Sequence, residues 1–163
     1  MEIQPNILFK ADCLELLERL NTEAIDLVYL DPPPLATSGT LCGSPERAPD
    51  DQVDQQLRLI SKVCQHVHRV LKRTGVVFFH ATPSSAFRIR LILNQIFGEQ
   101  YFRGEIVWQH RRVQHRNTVA SEHDSILLFS KSEQSTENRV LRPLAFPRDL
   151  ADRLAFVPDA GDT

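Results

Sequence analysis

Hydrophobic residues along this chain follow two alternating rhythms: short unbroken apolar runs, and longer stretches in which apolar positions fall three or four apart. Residues 5–11, PNILFKA, are the first run and predict a short buried strand. Leu14, Leu17 and Leu20 then recur at helical spacing, with Asp12 or Cys13 at the helix start. Ile25 to Leu30 is apolar on both faces once Asp26 is passed, the pattern of a strand covered by helices on both sides. Val53, Leu57, Ile60, Cys64, Val67 and Leu71 make residues 52–72 the strongest amphipathic helix, released at Gly75. VVFFHA (76–81) predicts a buried strand, Pro83 and Ser84 a helix entry, and AFRIRLILNQIFG a helix closed by Gly98. EIVWQH (105–110) and DSILLFSK (124–131) predict two later strands.

Strands alternating with helices in this order indicate an α/β fold built on an open, mostly parallel sheet. In such sheets ligands bind at the carboxyl ends of strands, and that is where the apolar run VYL meets Asp31. The acid is followed by Pro32, Pro33 and Pro34, and residues 34–49 shift to Gly, Ser, Thr, Pro and charge without periodicity, the composition of a loop.

Composition narrows the setting. A chain of 163 residues that is 42% apolar suits one compact domain with a real core. Its formal charge of -2 gives no global basic field, so a polyanion has to be met by a local patch. Arg103, Arg111, Arg112 and Arg116, with His110 and His115 around Trp108, form such a patch, equally readable as a solvated loop between strands. Cys13, Cys42 and Cys64 are odd in number and widely spaced, against both a disulfide framework and a zinc site, and they suit a reducing cytoplasm. The start MEIQPN has no signal-peptide pattern, and no apolar run approaches the roughly 18 residues of a membrane span. A soluble, cytoplasmic protein without a membrane partner is expected.

The stretch ADCLELLERLNTEAIDLVYLDPPP resembles the opening of bacterial DNA amino-methyltransferases of the N6-adenine and N4-cytosine type, whose motif is an acid, Asn or Ser, then two prolines and an aromatic. HRVLKRTGVVFFHATPSSAFRIRLILNQIFGEQYFRGEIVWQHR and EHDSILLFSKS are similar, in order and spacing, to the segments that follow in the subgroup with the catalytic motif first. The resemblance implies a Rossmann-like sheet of the S-adenosylmethionine-dependent type, with DNA as substrate and S-adenosyl-L-methionine as cofactor. It also implies restriction-modification chemistry, that is, methylation of a base flipped out of the duplex.

It further implies roles for single residues. An exocyclic amino nitrogen is a poor nucleophile while its lone pair is delocalised into the base. Asp31 would accept one N–H and a carbonyl in the Pro32-Pro33 segment the other, which directs the lone pair at the methyl donor. Pro34 stands where the family has its aromatic, and losing a base stack costs about 1–3 kcal/mol. Asp12, with Cys13 beside it, aligns with an acid-containing turn that contacts the cofactor; a helix cap is the equal alternative for Asp12.

The family's Gly-rich cofactor turn has no counterpart, since the six glycines at 39, 43, 75, 98, 104 and 161 nowhere form G-x-G. FPRDLADRLAFVPDAGDT resembles the helix and connector that lead into that turn. The expected organisation is a catalytic-motif region over 1–131, a linker over 132–146, and a terminal helix and connector over 147–163. Such an incomplete sheet exposes apolar surface and is expected to be completed by another chain or by self-association. Two functions stay open: a DNA methyltransferase catalytic region, adenine or cytosine undecided, and a non-catalytic methyltransferase-like module that binds DNA or a partner. A blander third is an unrelated α/β domain with a rigid DPPP turn. His66 and His68, two apart, cannot form an i, i+4 metal pair and read as structural. His80 reads as a core histidine or a pocket residue at Asp31's end of the sheet, and His123 and Asp124 are given no chemistry.

Overall fold

The structure is a computed structural model, and it describes residues 6–35, 50–109 and 123–135. Helix α1 (Cys13–Arg19) leads to strand β1 (Ile25–Leu30), helix α2 (Asp50–Val70) to β2 (Leu71–Ala81), and α3 (Pro83–Phe97) through a 3-10 turn to β3 (Phe102–Gln109) and β4 (His123–Ser130). The strands form one sheet in the order β1-β2-β4-β3. β1 pairs with β2 in parallel across α2, whereas β2 with β4 and β4 with β3 are antiparallel.

The α/β class therefore holds, but among the described residues one pairing is parallel and two are antiparallel, so the expected parallel majority is not found there. β3 and β4 follow one another along the chain and lie side by side as an antiparallel pair.

The core lies on one face of the sheet. Ile60, Cys64 and Val67 from α2 and Ile89, Leu93 and Phe97 from α3 meet Val77, Phe79, Ala81, Leu127 and Phe129 from β2 and β4. These are the inward positions of strands whose side chains alternate. The opposite positions Leu27 and Tyr29 of β1 are 54% and 51% exposed, so β1 is covered on one face rather than on both as expected. Ile106 and Trp108 of β3 share the exposed face.

Two further boundaries differ from the sequence pattern. Residues 6–11 of PNILFKA form no strand, and Leu8 is 97% exposed. An apolar run becomes a strand only where a neighbour supplies a ladder, and none of the four strands does so. Helix α2 stops at Val70 and the chain enters β2 without a loop, because Leu71 continues the helical stripe yet is buried from the strand, paired with Ile25. The last carbonyls of the helix are satisfied by Glu23 and Ala24, whose N–H groups donate to Arg69 and Val70. Arg69 in turn clamps α1, donating to the carbonyls of Leu20 at 2.9 Å and Leu17 at 2.7 Å.

Gly75 lies inside β2, opposite the irregularity in β1 between Ile25 and Leu27. A Cβ there would sit 2.9 Å from the Lys72 carbonyl oxygen and 3.1 Å from that of Asp26. Because both neighbours are backbone, Gly75→Ala is expected to destabilise the fold by about 2 kcal/mol in urea denaturation, with the m-value unchanged.

His68 packs edge-on against Phe97 with ring centroids 5.0 Å apart. Burial, and after it the charge of Lys131, hold its imidazole below the ordinary 6.5. Between the ordinary and the lowered value the unfolded chain binds a proton that the folded chain refuses. The resulting stability is complete above about pH 6.5 and is lost as pH falls through the folded value. His68→Gln is expected to flatten that part of the decline, read as Tm between pH 7.5 and 5.

Candidate active site

Strand direction assembles the site. Parallel β1 and β2 bring their carboxyl ends, Asp31 and His80, to one edge of the sheet, and antiparallel β4 brings its beginning, Asp124, to the same edge. His80 Nδ1 lies 3.0 Å from Asp31 Oδ1, and His80 Nε2 lies 3.4 Å from Asp124 Oδ2. The three side chains differ in exposure: 65% for Asp31, 26% for His80 and 10% for Asp124. The 3.0 Å separation is an ion-pair distance without the alignment of a hydrogen bond at Nδ1. Contacts of this kind in ligand-free sites commonly tighten on substrate binding.

Asp31 stands where two hollows meet. A small one of about 50 Å³ is lined by Asp31, Pro32, Pro33 and Pro34, with Phe79 and His80 on β2 and Ser85 at the start of α3. A larger cleft of about 430 Å³ runs between α1, β1 and α2, lined by Cys13, Leu17, Val28, Ile60 and Val67, with Asp31, Pro32 and Pro33 also on its wall. The proline run, whose φ angles are fixed by its rings, holds the backbone rigid between the two hollows.

The predicted residues are thus partly gathered. Asp31, Pro32, Pro33 and Pro34 converge, and Cys13, an exposed free thiol, lines the large cleft. Asp12 is not among that lining: its carboxylate caps α1, accepting from the N–H of Leu14 at 2.8 Å and of Glu15 at 3.3 Å. Arg103 is at the other end of the sheet, donating to Ser130 Oγ at 2.8 Å and to the Ser132 carbonyl at 3.0 Å. Ser130 lies six residues along β4 from Asp124, about 20 Å. Arg111, Arg112 and Arg116 fall outside the described residues, as do most of the expected linker and all of the expected terminal helix.

His80 and Asp124 are the members that sequence reasoning undervalued. The available signal was a carboxylate opening the otherwise apolar strand DSILLF, which only the antiparallel register converts into a neighbour of His80. The aromatic ring in the small hollow is Phe79, 2% exposed. Exposed Trp108 lies three strands from Asp31, about 14 Å, too far to stack on the same base.

Comparison with known proteins gives this geometry its context. The sequence model of the N6/N4 DNA methylase family matches residues 25–153. The chain belongs to that DNA methylase family. It is 23% identical over 129 residues to the type II methyltransferase M.KpnI of Klebsiella pneumoniae, a match covering 75% of this chain and 31% of that one. It is 22% identical over 158 residues to the Mod subunit of the type III restriction-modification enzyme EcoP15I of Escherichia coli, covering 79% and 24% respectively. Among solved structures, the cytosine-N4-specific PvuII DNA methyltransferase superposes with a TM-score of 0.61 at 17% identity, over 78% of this chain and 50% of that one. TTHA0409 of Thermus thermophilus, complexed with S-adenosyl-L-methionine, gives 0.57 at 16% identity, over 87% and 60%. These likenesses establish a methyltransferase fold, and the chain spans about a quarter to a third of the curated relatives' length. No described helix is long and apolar enough to cross a membrane.

The cap gives Asp12 a role in the fold that can be separated from any cofactor contact. Asp12→Ala is expected to cost about 1 kcal/mol in urea denaturation, and Asp12→Ser to restore most of it, because a hydroxyl also accepts from the first helical N–H groups.

Proposed function

We propose that this chain is the catalytic-motif part of a DNA amino-methyltransferase, acting on the exocyclic amino group of a flipped base, adenine N6 or cytosine N4. The observation that carries the reading is the placement of Asp31: an exposed carboxylate at the carboxyl edge of β1, set between two hollows and followed by a rigid proline backbone. Membership of the DNA methylase family supports it.

S-adenosyl-L-methionine, when bound, supplies an electrophilic methyl group. The large cleft has a volume in the range of small-ligand sites and an apolar wall suited to a flat heterocycle. Its described lining offers few polar groups for a ribose or an amino-acid end, so the fit is to the apolar part of the cofactor. Asp31 accepts one amino N–H and the Pro32-Pro33 backbone accepts the other. The nitrogen is drawn toward tetrahedral geometry, with its lone pair directed away from the ring. Holding two reactants in this alignment is worth several kcal/mol of the barrier. DNA phosphates would be met by Arg111, Arg112 and Arg116, and Arg103 contributes to holding β3 on β4 rather than to the edge where Asp31 stands.

A second reading, a non-catalytic module that binds DNA or a partner chain, is favoured by Pro34 in place of the aromatic and by the sparse polar lining of the cleft. Methyl transfer from labelled S-adenosyl-L-methionine to DNA decides between them. Transfer by the wild-type protein, reduced at least a hundredfold by Asp31→Ala while calorimetric cofactor binding persists, is expected. Cofactor binding and transfer both absent would favour the second reading, and transfer unaffected by Asp31→Ala would overturn the role of the acid.

A further inference from the structure

We propose that His80, held from behind by Asp124, is a positioning residue for Asp31. The proposal rests on the reading of Asp31 as the acceptor of the base amino group. Asp31 is 65% exposed at a strand end, and the prolines after it fix the backbone but leave the carboxylate free to turn. The imidazole is the group that meets it, with Nδ1 3.0 Å from Oδ1. One carboxylate oxygen facing the ring leaves Oδ2 as the oxygen offered to substrate. The ring needs a hold of its own, and Asp124 supplies it at Nε2 from the neighbouring antiparallel strand, where its side chain is 10% exposed. On the exposed face of the sheet, Tyr29 lies beside the imidazole with ring centroids 6.5 Å apart.

Three adjacent strands thus contribute one member each to an acid–imidazole–acid line that ends at the proposed reacting position. A packing role alone would not require that both ring nitrogens face carboxylates. It would be met equally by any residue of similar volume. The geometry instead makes the two nitrogens inequivalent, Nδ1 serving Asp31 and Nε2 serving Asp124.

That inequivalence is testable without turnover. Long-range proton–nitrogen NMR of the protein's histidine rings is expected to show Asp31→Asn displacing chiefly the Nδ1 resonance of His80 and Asp124→Asn chiefly Nε2. Both resonances unmoved by Asp31→Asn would overturn the proposal. For methyl transfer, His80→Asn puts an amide nitrogen near the Nδ1 position and keeps the contact to Asp31. His80→Gln puts one near Nε2 and keeps only the contact to Asp124. The first is expected to stay within about threefold of wild-type kcat, and the second to fall about tenfold to a hundredfold with KM for DNA unchanged. Equal losses in both variants, with circular dichroism intact, would reduce His80 to packing. If the wild-type protein transfers no methyl group, the proposed function fails while the ring resonances still decide the positioning role.

Discussion

The pairing of β2 with a parallel neighbour on one side and an antiparallel neighbour on the other is the constraint on which the site depends. A parallel partner aligns carboxyl end with carboxyl end, and an antiparallel partner aligns a carboxyl end with a beginning. β2 therefore gathers at one edge the end of β1 and the start of β4, which lie about ninety residues apart in sequence. A one-residue slip between β2 and β4 would turn Asp124 to the helix face and break the line through His80. The register is held by the side chains that carry the core, since Val77 opposite Phe129 and Phe79 opposite Leu127 are all nearly fully buried. Packing on one face thus fixes polar geometry on the other.

The helices serve the same edge indirectly. α2 delivers Ile60 to the floor of both hollows, and its end is locked to the start of β1 by the backbone bonds of Glu23 and Ala24 and by the Arg69 clamp on α1. Gly75 lets β2 approach the backbone of Asp26. Buried Cys64, its thiol pushed up to about 12 by desolvation, is an inert part of this packing rather than a reactive group.

What the sequence discloses and what it withholds divide along local and non-local lines. Helix α3 was legible to the residue because Pro83 and Gly98 punctuate it, and β1 because an acid and three prolines end it. Asp31 and its prolines were legible because the motif is contiguous. The exposed run at Ile7 to Phe9, the end of α2 at Val70 and the bridging of His80 to Asp124 were not, since each depends on which strand lies beside which. Periodicity reports the burial of a residue but not the identity of its neighbour. Asp12 shows the other limit: the same acid at the same place satisfies a family alignment and a helix cap, and only the 2.8 Å bond to Leu14 displays the cap.

The energetics of the edge argue that it serves something other than folding. A polar contact in which one carboxylate is 65% exposed contributes about 0–1 kcal/mol, and burying a polar side chain behind it is less favourable than burying an apolar one. Leu or Val at position 80 would suit a strand lying between two apolar neighbours. The stability of the chain rests on Phe79, Phe129 and the helix faces, on the opposite side of the same strands. Three titratable residues aligned at a strand edge beside a rigid proline turn, on the face away from the packed core, are the local departure from core-like patterning on which the proposed site rests.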